Sequence, residues 1–273
     1  MKRILITGGH GYIAAALAAY LGRFPEQYAA ELISVRDFRP DAVDFHGVDA
    51  IVHTAAIVHQ KETSRTQQLY DAVNRDLTVA LAKKAKREGV GQFLFFSTVS
   101  VYGMDTGTIR EDTVPVPNTQ YGRSKLAAER RIAPLSDEHF TVTILRPPVV
   151  FGPGAKGNPA RLERLSKKMP FCPDFENRRS MVSIETLCGA VKALLDAPRA
   201  GVFFPQEPEP VATCDLIERA MREQGRTPKH STLLNPAIRL FRACTRVGKK
   251  AFGDLVYEDL TALPLPDGEE EAE

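Results

Sequence analysis

Ile4-Leu5-Ile6-Thr7-Gly8-Gly9-His10-Gly11-Tyr12-Ile13-Ala14 stands almost at the start of the chain, behind two basic residues. Its first three residues read as a short strand buried on both faces. Residues 12–21 (YIAAALAAYL) then have the small-residue composition of a helix packed close to a sheet. The turn between them needs glycine, because a side chain would block φ > 0 and the close approach of a phosphate. The helix start behind the turn offers free N–H groups and a partial positive charge to a pyrophosphate. Gly8, Gly11, Tyr12 and Ile13 are therefore candidate dinucleotide-binding residues. Ala14 is the last small position and still lets helix and strand pack closely.

Beyond this turn the first two-thirds of the chain alternates apolar runs with amphipathic ones. Residues 32–35, 50–53, 93–96 and 142–145 read as strands. Residues 69–88 have helical spacing in Leu69, Val73, Leu77, Leu81 and Ala85, and residues 125–132 are helical. Doubly apolar strands separated by helices imply a parallel sheet covered on both sides, a doubly wound α/β fold. Residues 152–181 are rich in Gly, Pro and basic residues, with a short helix in the middle. Residues 205–262 hold helices broken by Pro208, Pro210, Pro228 and Pro236. The expected division is a dinucleotide-binding domain (1–151 and 182–204), a small substrate-binding lobe (152–181 and 205–262), and a disordered acidic tail (264–273).

With 273 residues, the chain allows one large domain or a domain with a smaller lobe. A net charge of +2 singles out no polyanionic partner, and no nucleic-acid partner is expected. Cys172, Cys188, Cys214 and Cys244 are widely spaced, so reduced, mostly buried thiols are expected and no metal site. No apolar run approaches the roughly 20 residues of a membrane span. The chain starts on a strand-like run without signal-peptide features and reads as cytoplasmic.

The strand after the first helix ends Val35-Arg36-Asp37. Asp37 there suits the ribose hydroxyls of NAD, and Arg36 the 2′-phosphate of NADP. NAD or NADP is expected, with Arg36 tilting the choice to NADP. Further on, Tyr121-Gly122-Arg123-Ser124-Lys125 puts Tyr121 and Lys125 on one helical face. A nearby ammonium favours the phenolate of a tyrosine whose unperturbed pKa is about 10. Phe93 to Phe96 run into Ser97-Thr98, placing Thr98 beyond the carboxyl end of a strand, where such sheets bind ligands. Thr98 is the candidate hydrogen-bond donor to a substrate oxygen, with Ser97 and Ser100 as neighbours sharing that task. Thr98, Tyr121 and Lys125 form the expected catalytic set.

Together these motifs resemble the extended short-chain dehydrogenase/reductase family, in its nucleotide-sugar epimerase/dehydratase branch, over most of the chain to about residue 260. The Gly8/Gly11 turn is similar to T-G-x-x-G-x-[IL]-G, with Ala14 departing from the last glycine. Asp49 to Ala56 resembles the segment lining the cofactor, which implies Ala55 and Ala56, and Asn74 resembles the asparagine of the next helix. Ser97 to Gly103 is similar to S-[ST]-x-x-V-Y-G, and Tyr121 and Lys125 to the Y-x-x-x-K pair. Arg146-Pro147-Pro148 resembles the run at the nicotinamide, which implies Pro148 as a cofactor residue. Lys156-Gly157-Asn158 and Asn177-Arg178-Arg179-Ser180-Met181 fall where the family meets a nucleotide diphosphate. The resemblance thus implies Ser100, Asn158 and Arg179, with Thr98, as substrate residues. Arginine suits the diphosphate because its fork donates two bonds. Of Arg178 and Arg179, one is expected to be merely solvated.

Two departures carry expectations. The stretch between Val35 and Ala50 is short, so one strand or helix of the sheet is expected to be missing. Thr98 is followed by Val99 instead of the acidic pair of the dehydratases, which disfavours 4,6-dehydration. The resemblance implies a nucleotide-diphosphate-sugar C4 epimerase acting on a UDP-linked hexose or N-acetylhexose, and a homodimer through helices near 69–88 and 124–132. The alternatives are an NADPH-dependent 4-keto-sugar reductase of surface-polysaccharide synthesis and, more distantly, a non-catalytic dinucleotide sensor. Between Pro236 and Phe252, apolar Ile238, Leu240, Phe241, Val247 and Phe252 interleave with Arg239, Arg242, Arg246, Lys249 and Lys250. That segment reads as a lobe helix with a solvated basic face, the alternative being a membrane-surface helix.

Overall fold

The computed structural model describes residues 1–9, 11–35, 43–58, 60–155, 157–258 and 260, without the side chains of 158–160. β1 (Lys2–Thr7) leads through the glycine turn into α1 (Tyr12–Leu21), and β2 (Tyr28–Ile33) follows. β3 (Ala50–His53) precedes α2 (Ser64–Tyr70), a π-helical turn (Asp71–Leu77) and α3 (Thr78–Arg87). β4 (Gln92–Phe96), a 3-10 turn (Val99–Tyr102), β5 (Gly107–Ile109), α4 (Gln120–Ile132) and β6 (Thr141–Leu145) complete the middle of the chain. Then come β7 (Val149–Phe151), α5 (Asn158–Ser166), β8 (Cys172–Pro173), β9 (Met181–Ser183), α6 (Ile184–Asp196) and β10 (Gly201–Phe203). The last elements are α7 (Thr213–Glu223), β11 (His230–Ser231), α8 (Asn235–Cys244), α9 (Arg246–Phe252) and β12 (Leu255–Tyr257).

Six strands form one parallel sheet in the order β10-β6-β4-β3-β1-β2. The order reverses after β2, so β1 and β3 flank the switch point where such sheets bind ligands. Alternate strand residues face opposite layers. Ile4, Ile6, Val52 and Leu94 pack with Leu17, Leu21, Leu187 and Val191 of α1 and α6. Leu5, Ile51, Phe93 and Phe95 pack with Leu81, Ala85, Ala128 and Ile132 of α3 and α4. Ala14 is fully buried in the first cluster, as its small size requires. A separate cluster of Cys172, Phe175, Cys214, Ile217, Met221, Ile238 and Phe252 forms the core of the C-terminal part.

Several expectations shift in detail. β2 ends at Ile33 rather than Val35, and Arg36 and Asp37 lie outside the described residues, as does the 264–273 tail. Among the described residues no strand lies beyond β2, consistent with the shortened 35–50 stretch. The helix expected over 69–88 is not one regular helix: α2 begins earlier and the π-helical turn interrupts it. Pro236 opens α8 rather than breaking a helix, because its missing N–H is harmless in a first turn. Cys172, Cys188 and Cys214 are buried thiols and Cys244 is exposed. In the 236–252 segment, Ile238 and Phe252 belong to the C-terminal core, while Leu240, Phe241 and Val247 are exposed. Arg246 and Lys250 pair with Asp105, and Arg242 with Asp254. Among the described residues no helix is long and apolar enough to cross a membrane.

Candidate active site at the carboxyl edge of the sheet

β4 delivers Ser97 and Thr98 to the carboxyl edge of the sheet, and α4 brings Tyr121 and Lys125 down on them. Thr119 caps α4, its side chain accepting from the Gly122 N–H at 3.0 Å. Gly122 is what permits the approach: a Cβ there would lie 2.5 Å from the Ser100 carbonyl oxygen. The Tyr121 hydroxyl faces the Thr98 hydroxyl closely enough for Thr98 to act on its proton affinity. Thr98 Oγ1 also accepts from the Ser100 N–H at 3.1 Å and donates to Ser100 Oγ at 3.2 Å. Thr98, Ser100, Tyr121 and Lys125 are therefore brought together. Ser97 is not one of them: its hydroxyl donates to the Glu129 carboxylate, away from Thr98, which corrects the expectation that it shares the substrate oxygen.

Burial dominates the electrostatics. It pushes the Tyr121 hydroxyl up to about 12, while the nearby Thr98 hydroxyl works the other way. Lys125 is 1% exposed and its ammonium has no hydrogen-bond partner. Its Nζ lies 4.2 Å from the Phe95 ring centroid. Desolvation holds Lys125 down at about 7, and the charge of Glu129 opposes that fall. A buried ammonium without acceptors is costly, and the hydroxyls of a dinucleotide ribose are the acceptors such a group lacks.

The glycine turn has the shape of a phosphate cradle. Gly8 adopts φ +89°, and a Cβ on it would stand 2.9 Å from Thr54 Oγ1 and 3.1 Å from the Ala55 backbone. Gly11 is also tightly placed, since its Cβ would meet the Gly8 oxygen at 3.0 Å. The residues present thus fit a dinucleotide at both ends, by an orphaned ammonium and a cradle that a side chain would fill. Tyr12, which begins α1, sends its hydroxyl to within 3.0 Å of where a Gly152 Cβ would sit. Ile13 packs against the α1/α6 core and Ala55 sits behind the turn. Beneath them runs a buried polar chain. Thr78 donates to the Asn74 carbonyl at 2.9 Å, so it accepts from His53 Nε2 at 2.9 Å. His53 Nδ1 then accepts from the Thr7 hydroxyl at 2.7 Å. Burial holds His53 down at about 3, hence neutral.

Asn74 turns out to be fully buried. Its Oδ1 accepts from Ile57 N–H at 2.8 Å, and its amide donates to the Ile57 carbonyl at 3.0 Å and Ser124 Oγ at 3.1 Å. Both its donors are in use, so it clamps the segment after Ala55 and Ala56 to α4 rather than offering a donor to a cofactor. Beyond the cluster, Pro148, Val149, Val99, Arg179, Ser180 and Tyr257 line a narrow cleft. Arg179 is buried, and its Nη1 donates to the Gly253 carbonyl at 2.5 Å, at the end of α9. Arg178 is the exposed member of the pair. Asn158 begins α5, but its side chain and all of Lys156 lie outside the described residues. Asp44, His46 and Glu88 stand close together, but Glu88 is tied to Lys84 at 2.5 Å and Asp44 to His46 at 2.6 Å.

Sequence reasoning missed one buried network. Glu129 accepts from Arg146 Nε at 3.1 Å and Nη2 at 2.5 Å, and Arg146 Nη1 donates to the Tyr102 hydroxyl at 2.8 Å. The available signal was a carboxylate on the apolar stripe of α4, between Ala128 and Ile132.

A doubly wound parallel sheet with a Thr–Tyr–Lys cluster at its carboxyl edge defines an enzyme of the extended short-chain dehydrogenase/reductase type. Residues 4–203 match the model of the NAD dependent epimerase/dehydratase family, and the chain belongs to that family. It is 32% identical over 243 residues to a UDP-glucose 4-epimerase of Vibrio cholerae, covering 79% of this chain and 74% of that protein. The crystal structure of a UDP-glucuronic acid 4-epimerase from Bacillus cereus in complex with NAD superposes with a TM-score of 0.70 at 19% identity, covering 95% and 88% of the two chains. A dTDP-4-dehydrorhamnose reductase from Bacillus anthracis in complex with NADP does so with a TM-score of 0.69 at 19% identity, covering 84% and 83%. Its relatives are NAD(P)-dependent epimerases, dehydratases and reductases, several of them named for nucleotide-sugar substrates.

Proposed function

We propose that the chain is an NAD(P)-dependent C4 epimerase of a nucleotide-diphosphate sugar, a UDP-linked hexose or N-acetylhexose. The observation that carries this reading is the unpartnered Lys125 ammonium buried on the helix face that brings Tyr121 to Thr98. The similarity to a UDP-glucose 4-epimerase supports C4 as the reacting carbon. A nicotinamide bound there supplies the hydride acceptor and donor. Thr98 holds the C4 oxygen by a hydrogen bond. Tyr121 takes the C4 hydroxyl proton as the 4-keto sugar forms, and returns it once the sugar has turned its other face. Lys125 holds the ribose and favours the phenolate of Tyr121. Gly8, Gly11, Tyr12, Ile13, Ala55, Ala56 and Pro148 line the dinucleotide path. Arg179 and Asn158 are assigned to the diphosphate. Residues 1–151 and 182–204 carry the cofactor and residues 152–181 and 205–262 the sugar, in a cytoplasmic enzyme that pairs through the helices near 69–88 and 124–132.

Arg36 in the sequence favours a second reading, NADPH-dependent reduction of a 4-keto sugar nucleotide. Incubation with UDP-N-acetylglucosamine and with its 4-keto-6-deoxy derivative, each with NAD and NADPH, separates the two. Epimerisation gives UDP-N-acetylgalactosamine without net cofactor change, and reduction consumes NADPH. Tyr121→Phe is expected to lower turnover by about 10²–10⁴-fold while dinucleotide affinity stays within about twofold. Substantial turnover in that variant would remove Tyr121 from the chemistry.

A further inference from the structure

We propose that the buried Glu129–Arg146 pair is a charge device of the active site, in which the Glu129 carboxylate keeps Lys125 protonated for its work on ribose and Tyr121. This rests on the dinucleotide-dependent reading above. Glu129 follows Lys125 by one helical turn on the sheet-facing side of α4 and is 3% exposed. Its carboxylate takes the bidentate fork of Arg146 from the end of β6 and the hydroxyl of Ser97 from the end of β4. All three guanidinium nitrogens of Arg146 are engaged, the third on Tyr102, and the Arg146 carbonyl accepts from the Tyr257 hydroxyl at 2.8 Å. The network therefore joins the residue before Thr98, the residue before Pro147-Pro148, and the helix that carries Tyr121 and Lys125.

A well-packed apolar pair would staple α4 to the sheet at less cost than a buried ion pair. What an apolar pair cannot supply is negative charge one turn from an ammonium that has lost water. The other groups facing Lys125 do not supply it. From β3, His53 is neutral and hydrogen-bonded on both nitrogens. From β4 comes the apolar Phe95 ring, and from α4 itself Tyr121, whose hydroxyl is protonated at neutral pH. From the π-helical turn, Asn74 meets Ser124, the neighbour of Lys125, with a neutral amide. Behind Glu129, Arg146 is positive, and Glu129 is the charge that raises the proton affinity of Lys125 against desolvation. Glu129 is thus a positioning residue, acting through Lys125.

The test follows the ¹³Cε resonance of Lys125 in lysine-labelled full-length protein without cofactor, assigned by its loss in Lys125→Met. Wild type should titrate near neutrality. Glu129→Gln should move the midpoint down by roughly one pH unit, a tenfold change in the proton equilibrium. NADH and NADPH titrations should show affinity about tenfold weaker at pH 8 in this variant and restored toward wild type near pH 6. An unmoved midpoint would overturn the proposal, and so would an affinity loss equal at every pH, which is what a mere staple gives. If Glu129→Gln does not fold, the double variant Glu129→Gln/Arg146→Met leaves no unpaired charge and must still show a downward midpoint, smaller because the opposing Arg146 charge is gone too, and an unmoved or raised midpoint there would overturn the proposal. A wild type that binds neither dinucleotide counts against the proposed function, while the Lys125 midpoint still decides the role of Glu129.

Discussion

Lys125 shows how a single residue can serve a site at the expense of the fold. Its ammonium is stripped of water and left without an acceptor, and desolvation holds it at about 7 against an ordinary 10.5. An unfolded chain therefore binds more protons at this position than the folded one between those two values. Below about pH 7 both states are charged and the full penalty of burial applies; as pH rises toward 10.5 the penalty fades. Lys125→Met should accordingly stabilise the cofactor-free protein, most at pH 6–7 and progressively less above. A gain of about 2 kcal/mol would raise Tm by roughly 4–8 °C. Dinucleotide affinity should fall at the same time. Thermal melts at pH 6.5 and 9.5 check this, and a variant that melts lower at both would mean that the aliphatic stem, not the charge, sets the balance. The Tyr121–Lys125 spacing was legible because i, i+4 is the period of a helix face. Glu129 was not, since a glutamate on a helix ordinarily faces water, and only the sheet-facing stripe of α4 gives it another meaning.

At the level of elements, the site depends on how closely the first turn of α4 lies on the Val99–Tyr102 turn. Gly122 has no room for a side chain against the Ser100 carbonyl, and Pro117 Cβ would be 3.0 Å away on the other side. Gly122→Ala must push the helix start outward and move Tyr121 away from Thr98. Overpacking of this kind costs about 1–3 kcal/mol. The expected result is a Tm lower by several degrees and turnover reduced at least tenfold, with the dinucleotide still bound through the unaltered glycine turn. Stopped-flow turnover beside a binding titration reads both, and unchanged turnover would show that the contact has slack. The element order was legible in the sequence because apolar strands and helical spacing alternate without ambiguity from Ile4 to Leu145. The π-helical turn was not, because Leu69, Val73, Leu77 and Leu81 keep a helical period across it. What it accommodates is the Asn74 clamp on Ile57, a contact 17 residues away that hydrophobic period does not encode.

Across the whole molecule, the end of the described chain closes on the site. β12 pairs with β5, and the Tyr257 N–H donates to Ser180 Oγ at 2.8 Å. Its hydroxyl reaches the Arg146 carbonyl at 2.8 Å, linking residues 111 apart in the sequence. The same side chain lines the narrow cleft with Pro148 and Arg179, so one tyrosine joins the C-terminal part to the sheet and shapes the proposed sugar side. Nothing local in Leu255-Val256-Tyr257 announces this, which is why residues 205–262 are readable from sequence only as broken helices. Tyr257→Phe keeps the ring and removes the hydroxyl, leaving a buried carbonyl one donor short, at a cost of about 1–3 kcal/mol. If β12 positions the sugar side alone, the loss should appear as KM for the sugar nucleotide raised roughly 3–10-fold, with kcat reduced less and dinucleotide affinity within about twofold. Steady-state kinetics of wild type and variant decide the matter. A fall in kcat with KM unchanged would place the effect on the Arg146–Glu129 network and Lys125, and equal loss of both affinities would mean that β12 supports the sheet edge as a whole.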